Sequence, residues 1–207
     1  MRYYPIYIDL NGKTAVVIGG GHIAERKVDT LREAGANVTV ISPEATAGLR
    51  AMADAGVITW HARPYREGDL SGAFCTYAAT NDNSVNTAVF DEATRNSQLC
   101  NVVDVPPLCN FIVPSIVRRG DLSIAISTSG NSPALAKKLR VDLTDHIGPE
   151  WEQLNDLLGR MRPELKRRYP EEEPRNHVLT RMLDAGVLEL LREGKAEDAE
   201  EIAWKCL

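Results

Sequence analysis

Gly19-Gly20-Gly21-His22-Ile23-Ala24 fits the spacing G-x-G-x-x-A and stands between the apolar run TAVVIG and a segment of helical periodicity. That spacing suits a backbone that must approach a charged phosphate. Gly19 permits the tight turn, Gly21 lets the main chain come close to a pyrophosphate, and Ala24 lets the helix lie against the sheet. A helix beginning at His22 and Ile23 also presents free N–H groups and the positive end of its dipole to an anion. A glycine triplet alone fits a flexible turn equally well, and the flanking strand and helix are what favour a dinucleotide. The second group with chemical capacity is Asp104, at the end of the apolar run LCNVVDV. A carboxylate there sits on the sheet edge where doubly wound folds bind ligands, and it can exchange a proton. Ahead of Pro106-Pro107, Asp104 reads equally well as a turn former.

The dinucleotide fingerprint usually carries an acid about 20 residues beyond the glycines, which binds the adenosine ribose. Ser42 occupies that place, followed by Pro43 and Glu44. Ser42 can bond a ribose hydroxyl, and Glu44 is the alternative acid. No arginine stands between Ser42 and Gly48 to receive a 2′-phosphate, so the expected cofactor is NAD rather than NADP. Ala79-Thr80-Asn81-Asp82 follows a later strand, where Thr80 or Asn81 can bond the cofactor and the same residues can serve as a helix cap.

These groups need a scaffold, and the hydrophobic periodicity supplies one. TAVVIG, NVTVIS, VITWHA, FCTYAAT and LCNVVDV read as strands. They alternate with helical patterns in GGHIAERKVDTLREAG, ATAGLRAMADAG and SVNTAVFDEATRNS. Ala24, Val28 and Leu31 fall at helical spacing, and Gly35 is placed to end that helix. Such alternation predicts an α/β fold with a Rossmann-like, doubly wound parallel sheet. Beyond residue 110 the pattern changes. NFIVPSIVRR and DLSIAISTS, joined at Gly120-Asp121, predict an antiparallel hairpin. Ser132-Pro133 predicts a capped helix start, and from about Gly148 the chain is helical and highly charged, interrupted by PEEEP at 170–174. The expected domains are 1–112, 113–147 and 148–207.

Composition narrows the partners. The chain has 207 residues, 43% hydrophobic and 26% charged, with a net charge of −5. That balance disfavours nucleic acid or an anionic membrane as the main partner, so any anionic ligand must meet a local cluster of cations. Arg118, Arg119, Lys137, Lys138 and Arg140 form such a cluster in sequence, and each alone is an ordinary solvated charge. Cys75, Cys100, Cys109 and Cys206 lack CxxC spacing and predict buried thiols, and the N-terminus has no apolar core of a signal peptide. A cytoplasmic location fits. His22, His61, His146 and His177 show no metal-ligand spacing, so no structural metal is expected. Trp60, Trp151 and Trp204 read as packing residues.

Taken in order, GGGHIAERK, AATND, CNVVD and FIVPSIVRRGDLSIAISTSGNSPALAKKLR resemble the N-terminal module of the siroheme synthases. That family includes stand-alone precorrin-2 dehydrogenases and bifunctional dehydrogenase–ferrochelatases, and the match runs from about Tyr4 to about Leu143. The resemblance implies an NAD-binding domain, a hairpin-bearing dimerisation segment and a small helical C-terminal domain. It implies a homodimer, precorrin-2 as substrate with ferrous iron as a second substrate where chelation is retained, and Asp104 as the catalytic residue. It also points to the loop of Thr128, Ser129 and Ser132 as part of substrate binding. Thr128 stands where the multifunctional bacterial enzyme carries a phosphorylatable serine. Two other readings stay open: a non-catalytic NAD-sensing module, and a dehydrogenase of a small hydroxy or amino acid.

Overall fold

A computed structural model describes residues 3–207; Met1 and Arg2, where the expected first domain begins, lie outside the described residues. β1 (Thr14–Ile18), β2 (Asn37–Ile41), β3 (Thr59–His61), β4 (Cys75–Ala78) and β5 (Leu99–Val102) form one sheet. Its order is β3-β2-β1-β4-β5 and every pairing is parallel. α1 (His22–Glu33), α2 (Ala47–Asp54) and α3 (Asn83–Arg95) connect the strands. The chain starts at the centre with β1, winds outward through β2 and β3, then returns to the other side at β4. The order therefore reverses between β1 and β4, where folds of this kind open a ligand crevice.

Burial on both faces explains why the central strands β1 and β4 read as near-continuous apolar runs. Along β1 the side chains alternate between two cores. Ala15 and Val17 join Ala24, Val28 and Leu31 of α1, Leu49 of α2 and Tyr77 of β4, whereas Val16 and Ile18 join Val89 and Ala93 of α3. Leu49 is fully buried, so truncating it to alanine should cost about 2–5 kcal/mol.

The helix ends follow local chemistry. Gly35, at φ +78°, terminates α1, with Gly35 N–H donating to Arg32 O at 2.8 Å and Ala36 N–H to Leu31 O at 3.0 Å, a left-handed glycine stop. Thr46 caps α2 by accepting from Leu49 N–H, and Asp82 caps α3 by accepting from Ser84 and Val85 N–H.

One expectation needs correction: β5 stops at Val102, and Asp104 does not end a strand. Val105 N–H donates to Val102 O at 3.2 Å and Asp104 adopts φ +60°. The chain therefore reverses directly after the strand and enters a short 3-10 turn at Pro106–Leu108.

The chain divides into two compact units, the first ending at Val113 and the second running from Pro114 to Leu207. In the second, β6 (Ser115–Arg119) and β7 (Leu122–Ile126) form an antiparallel hairpin. Gly120 sits in its two-residue turn at φ +55°. α4 (Pro133–His146) follows, with Ser132 Oγ accepting from Leu135 N–H at 3.2 Å and proline at the first helical position. α5 (Glu150–Arg168), α6 (Glu172–Asp184), α7 (Val187–Arg192) and α8 (Ala196–Lys205) surround a core that includes Leu157, Met161, Val178, Met182 and Val187. Pro170-Glu171 separates α5 from α6. Among the described residues, no helix is long and apolar enough to cross a membrane.

Candidate functional site

The three glycines do different work. Gly19 is buried at φ +118°, and a Cβ there would lie 2.4 Å from Ala79 O. A Cβ on Gly20 would lie 1.9 Å from Glu44 O, and Gly20 O accepts from Thr46 N–H at 2.9 Å. Gly19 and Gly20 thus lock the turn against the loops after β4 and β2. Gly21 differs: nothing lies within 4 Å of where its Cβ would be. It is the N-cap of α1, no side chain caps that helix, and Gly21, His22 and Ile23 are exposed. An open, uncapped helix start of this kind fits a dinucleotide pyrophosphate. His22 turns aside, its Nδ1 lying 3.5 Å from Glu25 Oε2. Ala24, wholly buried, lets α1 close onto the sheet.

At the end of β2 the Ser42 hydroxyl donates to Glu44 O at 2.6 Å, which leaves its oxygen able to accept but not to donate. Ser42 O accepts from Trp60 Nε1–H at 3.1 Å, and Arg50 stacks over the Trp60 ring. Pro43 and Glu44 are exposed at the same loop. On the far side of the glycine turn, the Thr80 hydroxyl donates to Asn86 Oδ1 at 2.8 Å while Asn86 Nδ2–H donates to Thr80 O at 3.1 Å. Thr80 therefore holds its own loop, and Asn81 beside it is exposed.

Asp104 is exposed on the turn after β5, in the left-handed region. Aspartate tolerates that region better than most residues, yet the conformation costs about 1 kcal/mol or more. Sequence reasoning overlooked a residue of α1 that packs on β4. Lys27, half-buried on α1, places Nζ 5.4 Å from the centroid of the Tyr77 ring, and Tyr77 meets Phe111 edge-on at 5.5 Å. Burial and the neighbouring Arg26 hold the Lys27 amine below the usual lysine range, opposed by the Asp104 carboxylate. Lys27 completes the set Ala24, Lys27, Val28, Leu31, a sheet-facing stripe that its sequence spacing encodes.

The cations of the second unit divide into two sets. Arg119 donates to Thr144 O at 2.9 Å and to Arg118 O at 3.0 Å, so it is tied to the end of α4. Lys138 is paired with Asp142. Arg118, Lys137 and Arg140 make no ion pair among the described residues. The Thr128 hydroxyl accepts from Ser132 N–H at 3.1 Å and Ser129 sits at φ +54°, so Thr128 and Ser132 shape the loop ahead of α4. Among the described residues, no cluster of three or more His, Cys, Asp or Glu could hold a metal ion.

A family model described as NAD(P)-binding matches residues 6–115, more than half of the chain. Two others, described as the central part of a sirohaem biosynthesis protein and the sirohaem synthase dimerisation region, match 119–146 and 150–205. The chain belongs to the NAD(P)-binding family whose model spans residues 6–115. Its siroheme synthase relatives include one from Methylococcus capsulatus, 38% identical over 98% of this chain and 43% of that protein. Another, from Actinobacillus pleuropneumoniae, is 35% identical over 98% of this chain and 42% of that protein. The chain thus spans less than half the length of these siroheme synthases. A solved structure, SirC, precorrin-2 dehydrogenase, superposes with a TM-score of 0.80 at 29% identity, covering 98% of this chain and 100% of that one. Sequence reasoning assigned dimerisation to 113–147, whereas the model bearing that description falls on α5 to α8.

Proposed function

We propose that the chain oxidises precorrin-2 to sirohydrochlorin with NAD as acceptor, and that Asp104 is the general base. The observation that carries this reading is Asp104 itself: a carboxylate held in a left-handed turn at the ligand edge of an NAD(P)-binding sheet. The siroheme synthase relatives and the likeness to SirC, precorrin-2 dehydrogenase, support the substrate. A module that merely sensed NAD would account for the glycine turn but would leave that carboxylate without a task. A dehydrogenase of small hydroxy acids would ordinarily place a histidine or lysine at the strand ends as its base.

The bound nicotinamide supplies the hydride acceptor. Gly21, with the N–H groups of His22 and Ile23, holds the pyrophosphate, while Ser42, Pro43 and Glu44 border the adenosine ribose. Asn81, with the backbone of Thr80, lines the opposite side. We favour NAD over NADP because Ser42 and Glu44 offer a 2′-phosphate no cation in their own loop. Asp104 takes the proton that leaves the macrocycle as hydride departs, completing a two-electron oxidation. Arg118, Lys137 and Arg140 are free to attract the peripheral carboxylates of the tetrapyrrole. The chain acts as a homodimer in a reducing cytoplasm. Burial fits that setting, pushing the Cys75 and Cys100 thiols up to about 11 and about 12.

Anaerobic absorbance spectra of the protein with precorrin-2 and NAD test the reading. Sirohydrochlorin and NADH should appear in equal amounts, and an unchanged precorrin-2 spectrum would reject it. Ferrous iron added afterwards reads chelation by the same preparation.

A further inference from the structure

α1 opens on the crevice between β1 and β4, and one of its side chains brings a charge there. Lys27 lies in the sheet-facing stripe of α1 with Ala24, Val28 and Leu31, and its Nζ stands 5.4 Å from the centroid of the Tyr77 ring. Tyr77 is the penultimate residue of β4 and pairs in register with Val17, the penultimate residue of β1. Helical side chains lean toward the N-terminus of their helix. Lys27 therefore reaches toward the C-terminal ends of these two strands, the edge at which a doubly wound sheet binds its ligands.

What this ammonium lacks is an anion. Among the described residues Lys27 makes no ion pair and donates no hydrogen bond, and the face of Tyr77 is what seats it. Two other cations of the first unit lie over rings, Lys13 over Phe74 and Arg50 over Trp60, but both are exposed to water. Lys27 is half-buried, and a partly dehydrated charge without a paired anion is costly. Burial and the neighbouring Arg26 accordingly hold its amine below the usual lysine range, with the Asp104 carboxylate, too far for an ion pair, a smaller opposing influence.

The surroundings indicate which anion fits. Tyr77 meets Phe111 edge-on at 5.5 Å and Phe111 is half-buried, so the ammonium borders an aromatic pair rather than a polar pocket. A pyrophosphate is served by the backbone N–H groups at the start of α1 and has no use for an aromatic neighbour. A flat apolar ring system that carries carboxylates on flexible arms matches both parts. We propose that Lys27 is a substrate-binding residue whose ammonium, seated on the Tyr77 ring where the strand order reverses, takes one peripheral carboxylate of the tetrapyrrole. The proposal rests on the precorrin-2 reading of the site and adds to it a cation from the NAD(P)-binding unit.

The test compares Lys27→Met and Lys27→Arg with the wild type in the anaerobic precorrin-2 assay, beside NAD titration and thermal unfolding. Lys27→Met should raise KM for precorrin-2 by about 10-fold or more, the scale of one charge-assisted hydrogen bond. Its kcat should change far less, as for a contact made equally in the ground and transition states, and its NAD affinity should be retained. Lys27→Arg should recover most of the KM. A lysine that merely packs on the ring would move Tm without a rise in KM that arginine reverses. A second readout needs neither turnover nor a stable methionine variant. In wild-type protein with 13C-methylated lysines, the Lys27 signal, identified by its absence from Lys27→Arg, should titrate at higher pH once sirohydrochlorin is bound. That product keeps the carboxylates of the substrate, and an adjacent carboxylate favours the charged amine. Wild-type KM or weakened NAD binding in Lys27→Met, or an unmoved Lys27 titration in the sirohydrochlorin complex, would overturn the proposal, while wild-type turnover leaves the dehydrogenase reading standing. A wild type that neither binds nor oxidises precorrin-2 rejects that reading, and this role with it.

Discussion

Gly21→Ala separates a cofactor contact from a folding contact, because Gly20, its neighbour, provides the control. At Gly21 the backbone is extended, at φ −82° and ψ −179°, a conformation alanine adopts freely, and no protein atom lies within 4 Å of the added methyl. Losing a glycine from the unfolded chain stabilises by about 0.4–1 kcal/mol. Alanine is a poorer N-cap than glycine by a similar amount, about 0.5–1 kcal/mol. The two effects nearly cancel, so Tm should stay within about 2 °C, given 2–4 °C per kcal/mol for a chain of this size. NAD affinity should fall instead. Forcing a methyl into a filled space costs about 1–3 kcal/mol, which corresponds to a roughly 5- to 150-fold weaker Kd at 1.4 kcal/mol per tenfold. Gly20→Ala should do the reverse at the level of the fold. Its Cβ would lie 1.9 Å from Glu44 O, and relieving that overlap at about 1–3 kcal/mol should lower Tm by about 2–12 °C. The assays are titration calorimetry with NAD and thermal unfolding without it. Unchanged NAD affinity in a well-folded Gly21→Ala would refute the placement of the pyrophosphate, and unchanged Tm in Gly20→Ala would refute the account of the turn.

Ser42→Arg should shift the ratio of kcat/KM toward NADP, and an unaltered ratio would mean that the ribose lies elsewhere. Alanine at Arg118, Lys137 or Arg140 should raise KM for precorrin-2 in a manner that weakens with salt, whereas Lys138→Ala, losing only a cation already paired with Asp142, should change it less. If all four leave KM unchanged, the cations are ordinary surface charges. The chain should sediment as a dimer at micromolar concentration. Leu183→Glu, at an exposed leucine one turn from exposed Leu179 on α6, should weaken that dimer more than Ile124→Glu on β7, and a monomeric wild type would contradict the assembly.

The sheet was legible because its central strands β1 and β4 are buried on both faces, and the helices of the chain are punctuated by residues with one conformational meaning. Gly35 stops α1, and Ser132-Pro133 starts α4. Asp104 was legible as a carboxylate at the right edge but not in its conformation. Nothing in LCNVVDV distinguishes a strand that continues from one that reverses after Val102, since the reversal depends on a left-handed residue that aspartate permits without requiring. The hydroxyls and cations were harder still. Thr80, Thr128 and Arg119 have the look of ligand-binding groups in sequence, yet each is spent on nearby structure, Arg119 on a carbonyl 25 residues away. Lys27 failed to register for the opposite reason. A lysine in a helix reads as a solvated charge, and only its place in the stripe of Ala24, Val28 and Leu31 marks it as facing the sheet.

Asp104→Asn tests the central claim most directly. Asparagine shares the tolerance of aspartate for φ near +60°, so the turn after β5 should persist, and Tm and NAD affinity should match the wild type. Precorrin-2 oxidation, measured anaerobically as NADH formed, should fall roughly 100-fold or more, the scale of a positioned general base. A folded, NAD-binding Asp104→Asn that turns over at the wild-type rate would contradict the account.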